Sequence, residues 1–190
     1  MPLNGNTPRA APEPGSLQRA QRGELAAFEG LMREHESRVF SIALRFTGSR
    51  SDAEELTQDV FVQLHRALGR ISDPGHLQRW LLRTTTNRCL NRLRDQRRRP
   101  RLVAIESNPD AAEAAAPESG SDPLASSHLR QLLLELAPEA RVVVLLRFQE
   151  DLGPAQIANL LGMSVNTVKS HLRRSLEWLR TQCIGDVHGA

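Results

Sequence analysis

A chain of 190 residues carrying 25 Lys+Arg against 22 Asp+Glu, with a net charge of +3 and a pI near 9.6, holds one ordinary domain or two small ones. Its two cysteines, Cys89 and Cys183, are isolated, which excludes a disulfide framework and a cysteine metal site and makes a reduced, cytoplasmic protein the expectation. No run nears the roughly 20 apolar residues that cross a bilayer, and the opening MPLNGNTPRAAPEPGSLQRAQRG lacks the apolar centre of a signal peptide.

That Pro/Gly/polar opening reads as a disordered tail over residues 1–23. From there Leu25, Phe28, Met32, His35, Val39, Ile42 and Phe46 step alternately three and four, the stripe of a long amphipathic helix that Gly48 ends. His35 lies on that stripe without a second ligand at matching spacing, so it reads as a packed core-edge histidine. Ser51-Asp52-Ala53-Glu54 has the form of a capping box and starts a second helix, whose core side is Ala53, Leu56, Val60, Leu64 and Ala67. Its outer side carries Asp52, Glu55, Gln58 and Asp59. Such a ridge is usually a solvated face; a di-metal bundle would need Glu-x-x-His pairs, and the chain has none.

A third helix is expected from about His76 to Arg99. Leu77, Trp80, Leu81, Leu90 and Leu93 anchor it, but Thr84, Thr85, Thr86, Asn87 and Arg88 make its middle too polar to be buried whole. Those short donors stand beside Arg79, Arg83, Arg88 and Arg92, a set able to hold a phosphodiester strand and touch its bases. From Arg88 to Arg101 there are seven arginines and one aspartate. So dense a block repels itself unless an anion is near, and phosphate contact through Arg97, Arg98 and Arg99 is the reading it favours.

Composition then reverses. Residues 102–126 contain five acids, no Lys or Arg, and several Pro, Ala and Ser, the makeup of a flexible acidic linker. Beyond it Leu129, Leu132, Leu133 and Leu136 mark a short helix, and Pro138 opens another bearing Val142, Val143, Leu145, Leu146 and Phe148. Residues 154–174, PAQIANLLGMSVNTVKSHLRR, then read as helix, turn, helix. Pro154 suits a first helical position, Gly162 a left-handed helix end, and Ser164 an N-cap. Ile157, Leu160 and Leu161 face a core from the first helix; Val165, Val168, Leu172, Leu176 and Leu179 do so from the second. Outward on the second stand Asn166, Lys169, Ser170, Arg173 and Arg174, the donors that read base edges and phosphates. Four short helices with short connections make a compact module, able to fold alone though marginally. The fold expected is all-α: two small helical domains joined by a flexible acidic linker. Lys169 is the only lysine; arginine's planar fork suits phosphate and guanine, although GC-rich codon usage gives the same bias.

Two helical domains so joined, the first ending in an arginine block and the second in a helix-turn-helix, resemble bacterial sigma factors of the sigma-70 family, extracytoplasmic-function (ECF) group. SDAEELTQDVFVQLHRAL (51–68), HLQRWLLRTTTNRCLNRLRDQRRRP (76–100) and LAPEARVVVLLRFQEDLGPAQIANLLGMSVNTVKSHLRRSL (136–176) carry the likeness. It implies a region 2 domain over 24–101, a linker over 102–126 that threads the RNA channel, and a region 4 domain over 127–184. It further implies that Asp52, Glu55, Gln58 and Asp59 contact the clamp coiled coil of the largest subunit of RNA polymerase core. Arg79, Trp80, Arg83, Asn87, Arg88, Arg92, Arg97, Arg98 and Arg99 would hold the minus-ten element of promoter DNA. Asn166, Lys169, Ser170, His171, Arg173 and Arg174 would read the minus-thirty-five element. A membrane-linked anti-sigma factor is the expected regulator. No cofactor, metal, small-molecule substrate or catalytic residue is implied.

Four positions depart from the family pattern. Leu82 stands where an aromatic is frequent and Thr84 where an apolar residue is, which bears on melting by stacking; His171 replaces a frequent arginine. Gly153 also occupies a usual Ser or Thr cap. NTVKSHL is close to the helix-turn-helix of LuxR-class response regulators, but the front half has no α/β pattern for a sensor domain. An enzyme would need a phosphate loop, nucleophile elbow, metal cluster or paired-acid motif, and the sequence offers none.

Overall fold

The computed structural model describes residues 15–98 and 123–185, and every regular element among them is helical. In chain order these are α1 (Ser16–Gln21), α2 (Leu25–Thr47), α3 (Arg50–Ala67), a 3-10 turn (Leu68–Arg70), α4 (Pro74–Arg98), α5 (Pro123–Glu135), α6 (Pro138–Phe148), α7 (Pro154–Leu161) and α8 (Val165–Gly185).

The first half packs α1 to α4 around Leu31, Val39, Val60, Leu64, Leu77 and Leu81. Residues 16–21 of the expected tail form α1, whose Leu17 and Ala20 are buried. Gln21 fastens it by donating from Nε2 to the carbonyls of Leu68 and Ile71 at 3.0 and 2.7 Å. The isolated apolar Leu17 was too slight a signal against the surrounding Pro, Gly and Arg. In α2 the expected stripe holds from His35 onward, with His35 itself buried, but Leu25 is 70% exposed and Ala27 and Leu31 take the core positions of the first turns. Gly48 ends α2 with φ 70°. The left-handed turn favours glycine there; a Cβ would also lie 2.6 Å from the end of the Leu134 side chain of α5, which would have to shift.

Helix α3 is capped two residues earlier than expected. Ser49 is extended and its Oγ accepts from Asp52 N at 3.2 Å, while Ser51 lies inside the helix. Helix α4 likewise starts two residues early: Asp73 Oδ1 accepts from His76 N at 2.7 Å, and Pro74 takes the first helical position. Its hydroxyl-rich middle is more buried than its polarity implied. Thr85 and Thr86 are fully enclosed; Thr85 Oγ1 satisfies itself by donating to Leu81 O at 2.7 Å.

The second half begins at Pro123, inside the expected linker; residues 99–122 lie outside the described residues, and most of the linker expectation with them. Pro138 opens α6 as expected. Phe148, however, is 59% exposed, and Leu129 and Leu176 are also turned outward. Helices α7 and α8 meet at Gly162, φ 66°, and Ser164 Oγ accepts from Thr167 N at 3.0 Å, the expected turn and cap. Buried Ser175 takes the place expected for Leu176, with Val168 and Leu179 on the same core side.

The two halves are not separate bodies. Val142, Val143 and Leu146 of α6 share one apolar cluster with Phe46, Leu82 and Leu90 of the first half. Helix α6 is buried nearly all round because its run of Val and Leu leaves no polar face, and such a helix needs walls on more than one side.

Candidate nucleic-acid interface

Helix α4 sorts its polar residues by spacing. Arg79, Arg83 and Asn87 recur every four residues and form one exposed stripe. Trp80, half-buried, lines a shallow open cleft with Gln63, Arg66, Ala67 and Arg70. Composition had not singled out Gln63, Arg66 and Arg70; their three- and four-residue spacing at the end of α3 was the available signal.

Arg88 and Arg92 turn the other way, toward α3. Arg92 Nη2 donates to Asp52 Oδ1 at 2.6 Å and to Glu55 Oε2 at 2.7 Å, and Arg88 Nη1 donates to Asp59 Oδ2 at 3.3 Å. Gln96 Nε2 adds a bond to Asp52 Oδ2 at 2.8 Å. The Asp52 bond, with the charges of Asp52 and Glu55, raises the Arg92 pKa against the effect of its burial. The acidic ridge is therefore not simply a solvated face: Asp52 keeps only 15% of its side chain exposed. Its acids are tied to two of the arginines expected to face DNA, while Gln58 remains exposed. Arg97 is exposed and donates to Leu136 O at 3.4 Å. The side chains of Arg98 and Arg99 lie outside the described residues.

On α8, Asn166, Lys169, Arg173 and Arg174 are exposed and Ser170 and His171 half-buried. Asn166, Lys169, Ser170 and Arg173 follow one helical stripe, as a helix laid into a major groove requires. Arg173 makes a 3.7 Å ion pair with Glu177. Glu139, on α6, joins the two surfaces electrostatically. Burial raises its pKa, but the bond from Arg94 Nε at 2.8 Å, its own backbone N–H, and the charges of Arg94 and His171 bring it below the usual value. Of the departures, Leu82 is buried in the cluster between the halves and Thr84 is half-buried. Gly153 is served by Gln156, whose Oε1 accepts from Gly153 N at 2.7 Å.

Among the described residues no group of three or more His, Cys, Asp or Glu is placed to hold a metal, and no helix is long and apolar enough to cross a membrane.

Comparison with known proteins gives the same division. The family Sigma-70 region 2 matches residues 31–99, and Sigma-70, region 4 matches residues 127–179. The ECF RNA polymerase sigma-E factor of Escherichia coli is 32% identical over 174 residues, 85% of this chain and 88% of that protein. The ECF RNA polymerase sigma factor SigE of Mycolicibacterium smegmatis is 33% identical over 159 residues, which are 82% of this chain but only 61% of that longer protein. Two solved structures share the fold with TM-scores of 0.61. CnrH, in complex with the cytosolic domain of CnrY, is 24% identical and aligns over 90% of this chain and 96% of its own. The sigma factor RpoE of Bartonella quintana, in complex with the anti-sigma factor NepR, is 18% identical and aligns over 81% and 94%. With both regions in order and a relative of this identity matched over most of its length, the chain belongs to the ECF group of sigma-70 family RNA polymerase sigma factors.

Proposed function

We infer that this chain binds RNA polymerase core through α3, holds the opened minus-ten element along α4, and reads the minus-thirty-five element with α8, so directing initiation without a covalent step of its own. The observation that carries the reading is the placement of an acid and amide ridge on α3 directly beside an arginine-bearing helix, with a complete helix-turn-helix in the same chain. Asp52, Glu55, Gln58 and Asp59 meet the clamp coiled coil. Arg79, Arg83 and Asn87 hold the backbone and edges of the displaced strand, and the cleft beside Trp80 receives an unstacked base. Extruding a base costs a few kcal/mol, which phosphate contacts and packing of the base against Trp80 offset. Asn166, Lys169, Ser170, His171, Arg173 and Arg174 supply major-groove contacts. Work on chromosomal promoters makes the cytoplasm its place. CnrH and RpoE were each solved with a protein partner, the cytosolic domain of CnrY and the anti-sigma factor NepR, and a regulator of that kind, linked to the membrane, is proposed here.

Titration of the labelled full-length protein with polymerase core tests the docking face. Gln58→Arg leaves the Arg88 and Arg92 pairs intact, so it is expected to weaken core binding at least tenfold with an unchanged helical circular dichroism spectrum. Asp59→Arg should weaken it further, because it also sets a cation against Arg88. Core affinity equal to wild type in both variants contradicts the assignment.

A further inference from the structure

Gln21 stands at the end of α1, ahead of residues 31–99, the span that matches region 2. It is exposed, yet its Nε2 donates to two carbonyls far along the chain, Leu68 O at 3.0 Å and Ile71 O at 2.7 Å. The amide has two N–H groups, one for each bond. These carbonyls bracket the 3-10 turn Leu68–Arg70, in which Ile71 N also donates to Leu68 O at 3.2 Å. A lone 3-10 turn has poorer hydrogen-bond geometry than an α-helix and is weak by itself. The side chains of Leu68 and Ile71 enter the cluster that also holds Leu17 and Ala20 of α1. Helix α1 thus grips the turn twice, by apolar packing and by the Gln21 amide. Only Gly69 and Arg70 lie between the two held residues, and both are exposed.

The loop that follows is tied as well. Ser72 N donates to His76 Nδ1 at 3.2 Å, Ser72 Oγ to Asp73 Oδ2 at 2.6 Å, and His76 N to Asp73 Oδ1 at 2.7 Å. Water would serve the polar groups of an exposed turn, so burial alone does not call for these bonds. What they fix is direction. Arg70, on the held turn, lines the cleft it shares with Gln63, Arg66, Ala67 and Trp80. On a loose turn both the backbone and the long side chain would have to be ordered each time a strand bound, and that cost is subtracted from affinity.

We propose that Gln21 is a positioning residue for the minus-ten cleft: through the carbonyls of Leu68 and Ile71 it fixes the turn that carries Arg70, so the guanidinium meets the displaced strand already placed in the cleft with Trp80. The proposal rests on the reading of that cleft given above. Gln21 acts through Arg70 and makes no contact with DNA itself.

Gln21→Met keeps the length of the side chain and the charge of the protein while removing both donors. Trp80 and Trp178 are the only tryptophans, so in the full-length Trp178→Phe protein fluorescence quenching reports on the cleft. The probe is a pool of random single-stranded DNA of about twelve nucleotides. Gln21→Met is expected to weaken its binding at least threefold, and Arg70→Ala at least as much. With Arg70→Ala already present, Gln21→Met should change binding less than about 1.5-fold, because residues that act through one contact are not additive. Gln21→Asn, whose amide stops one methylene short of the carbonyls, should act in the same direction as Gln21→Met. Hydrogen exchange over residues 68–76, followed by mass spectrometry, should quicken at least threefold in both Gln21 variants, with α5 to α8 unchanged. Binding as tight as in the parent for both Gln21 variants, or an equal loss with and without Arg70, overturns the proposal; so does unchanged exchange over 68–76. If single strands fail to quench Trp80 in the parent, or Arg70→Ala binds as well as the parent, the reading of the cleft fails and the positioning role with it, while the exchange rates still decide whether Gln21 holds the turn.

Discussion

The Ser49 hydroxyl satisfies one of the first N–H groups of α3, so Ser49→Ala should cost about 1 kcal/mol in urea unfolding. Ser51→Ala, at an exposed helical position, should stay within about 0.5 kcal/mol; equal costs would contradict the cap. Spacing alone could not separate the two serines, because both precede acidic residues. What selects Ser49 is Gly48, whose left-handed turn ends α2 and leaves the next residue extended. The cysteines separate in a similar way. Burial raises the Cys89 thiol pKa from 9.0 to about 12, whereas Cys183 is exposed. One thiol should react with a maleimide or disulfide reagent at pH 8 in the native protein and two after denaturation; two fast native thiols would contradict the burial. Because the folded pKa is the higher, the contribution of Cys89 to stability is complete below pH 9 and is lost as the pH rises toward 12.

At the scale of elements, the turn between α7 and α8 was readable because its punctuation is local: Pro154, Gly162 and Ser164 each act within one turn. The α3–α4 ladder was not. Sequence spacing places Asp52, Glu55 and Asp59 on one helix face and Arg88 and Arg92 on another, but which faces meet depends on how two helices cross, a tertiary fact. The same limit hid Arg141, which sits among valines and resembles a solvent cation until α2 is packed beside it. On α8 the stripe carries a prediction with two arms. Asn166→Ala should cost about 1–3 kcal/mol on the preferred minus-thirty-five sequence and relax discrimination at one base pair. Lys169→Ala should weaken all sequences alike and reduce the salt slope by about one. Electrophoretic or anisotropy titrations over a salt series distinguish them, and identical behaviour of the two variants would contradict a groove-bound α8.

For the whole molecule, the all-helical class and the order of the two regions were legible, since amphipathic periods and a composition reversal survive without tertiary knowledge. Their meeting was not foreseen, yet the sequence held a sign of it. Arg141 to Leu146 is apolar on every face after the arginine, and such a helix needs walls on more than one side. In this arrangement the second module also packs on Phe46, Leu82 and Leu90 of the first half. Even so, Arg79, Arg83, Asn87, Asn166, Lys169, Arg173 and Arg174 remain exposed, so the surfaces proposed for DNA are reachable. The most direct measurement of the central claim is genome-wide run-off transcription with purified polymerase core, with and without this protein. The account predicts discrete new start sites that share paired minus-ten and minus-thirty-five sequences, lost with Gln58→Arg; starts indistinguishable from those of core alone would contradict it.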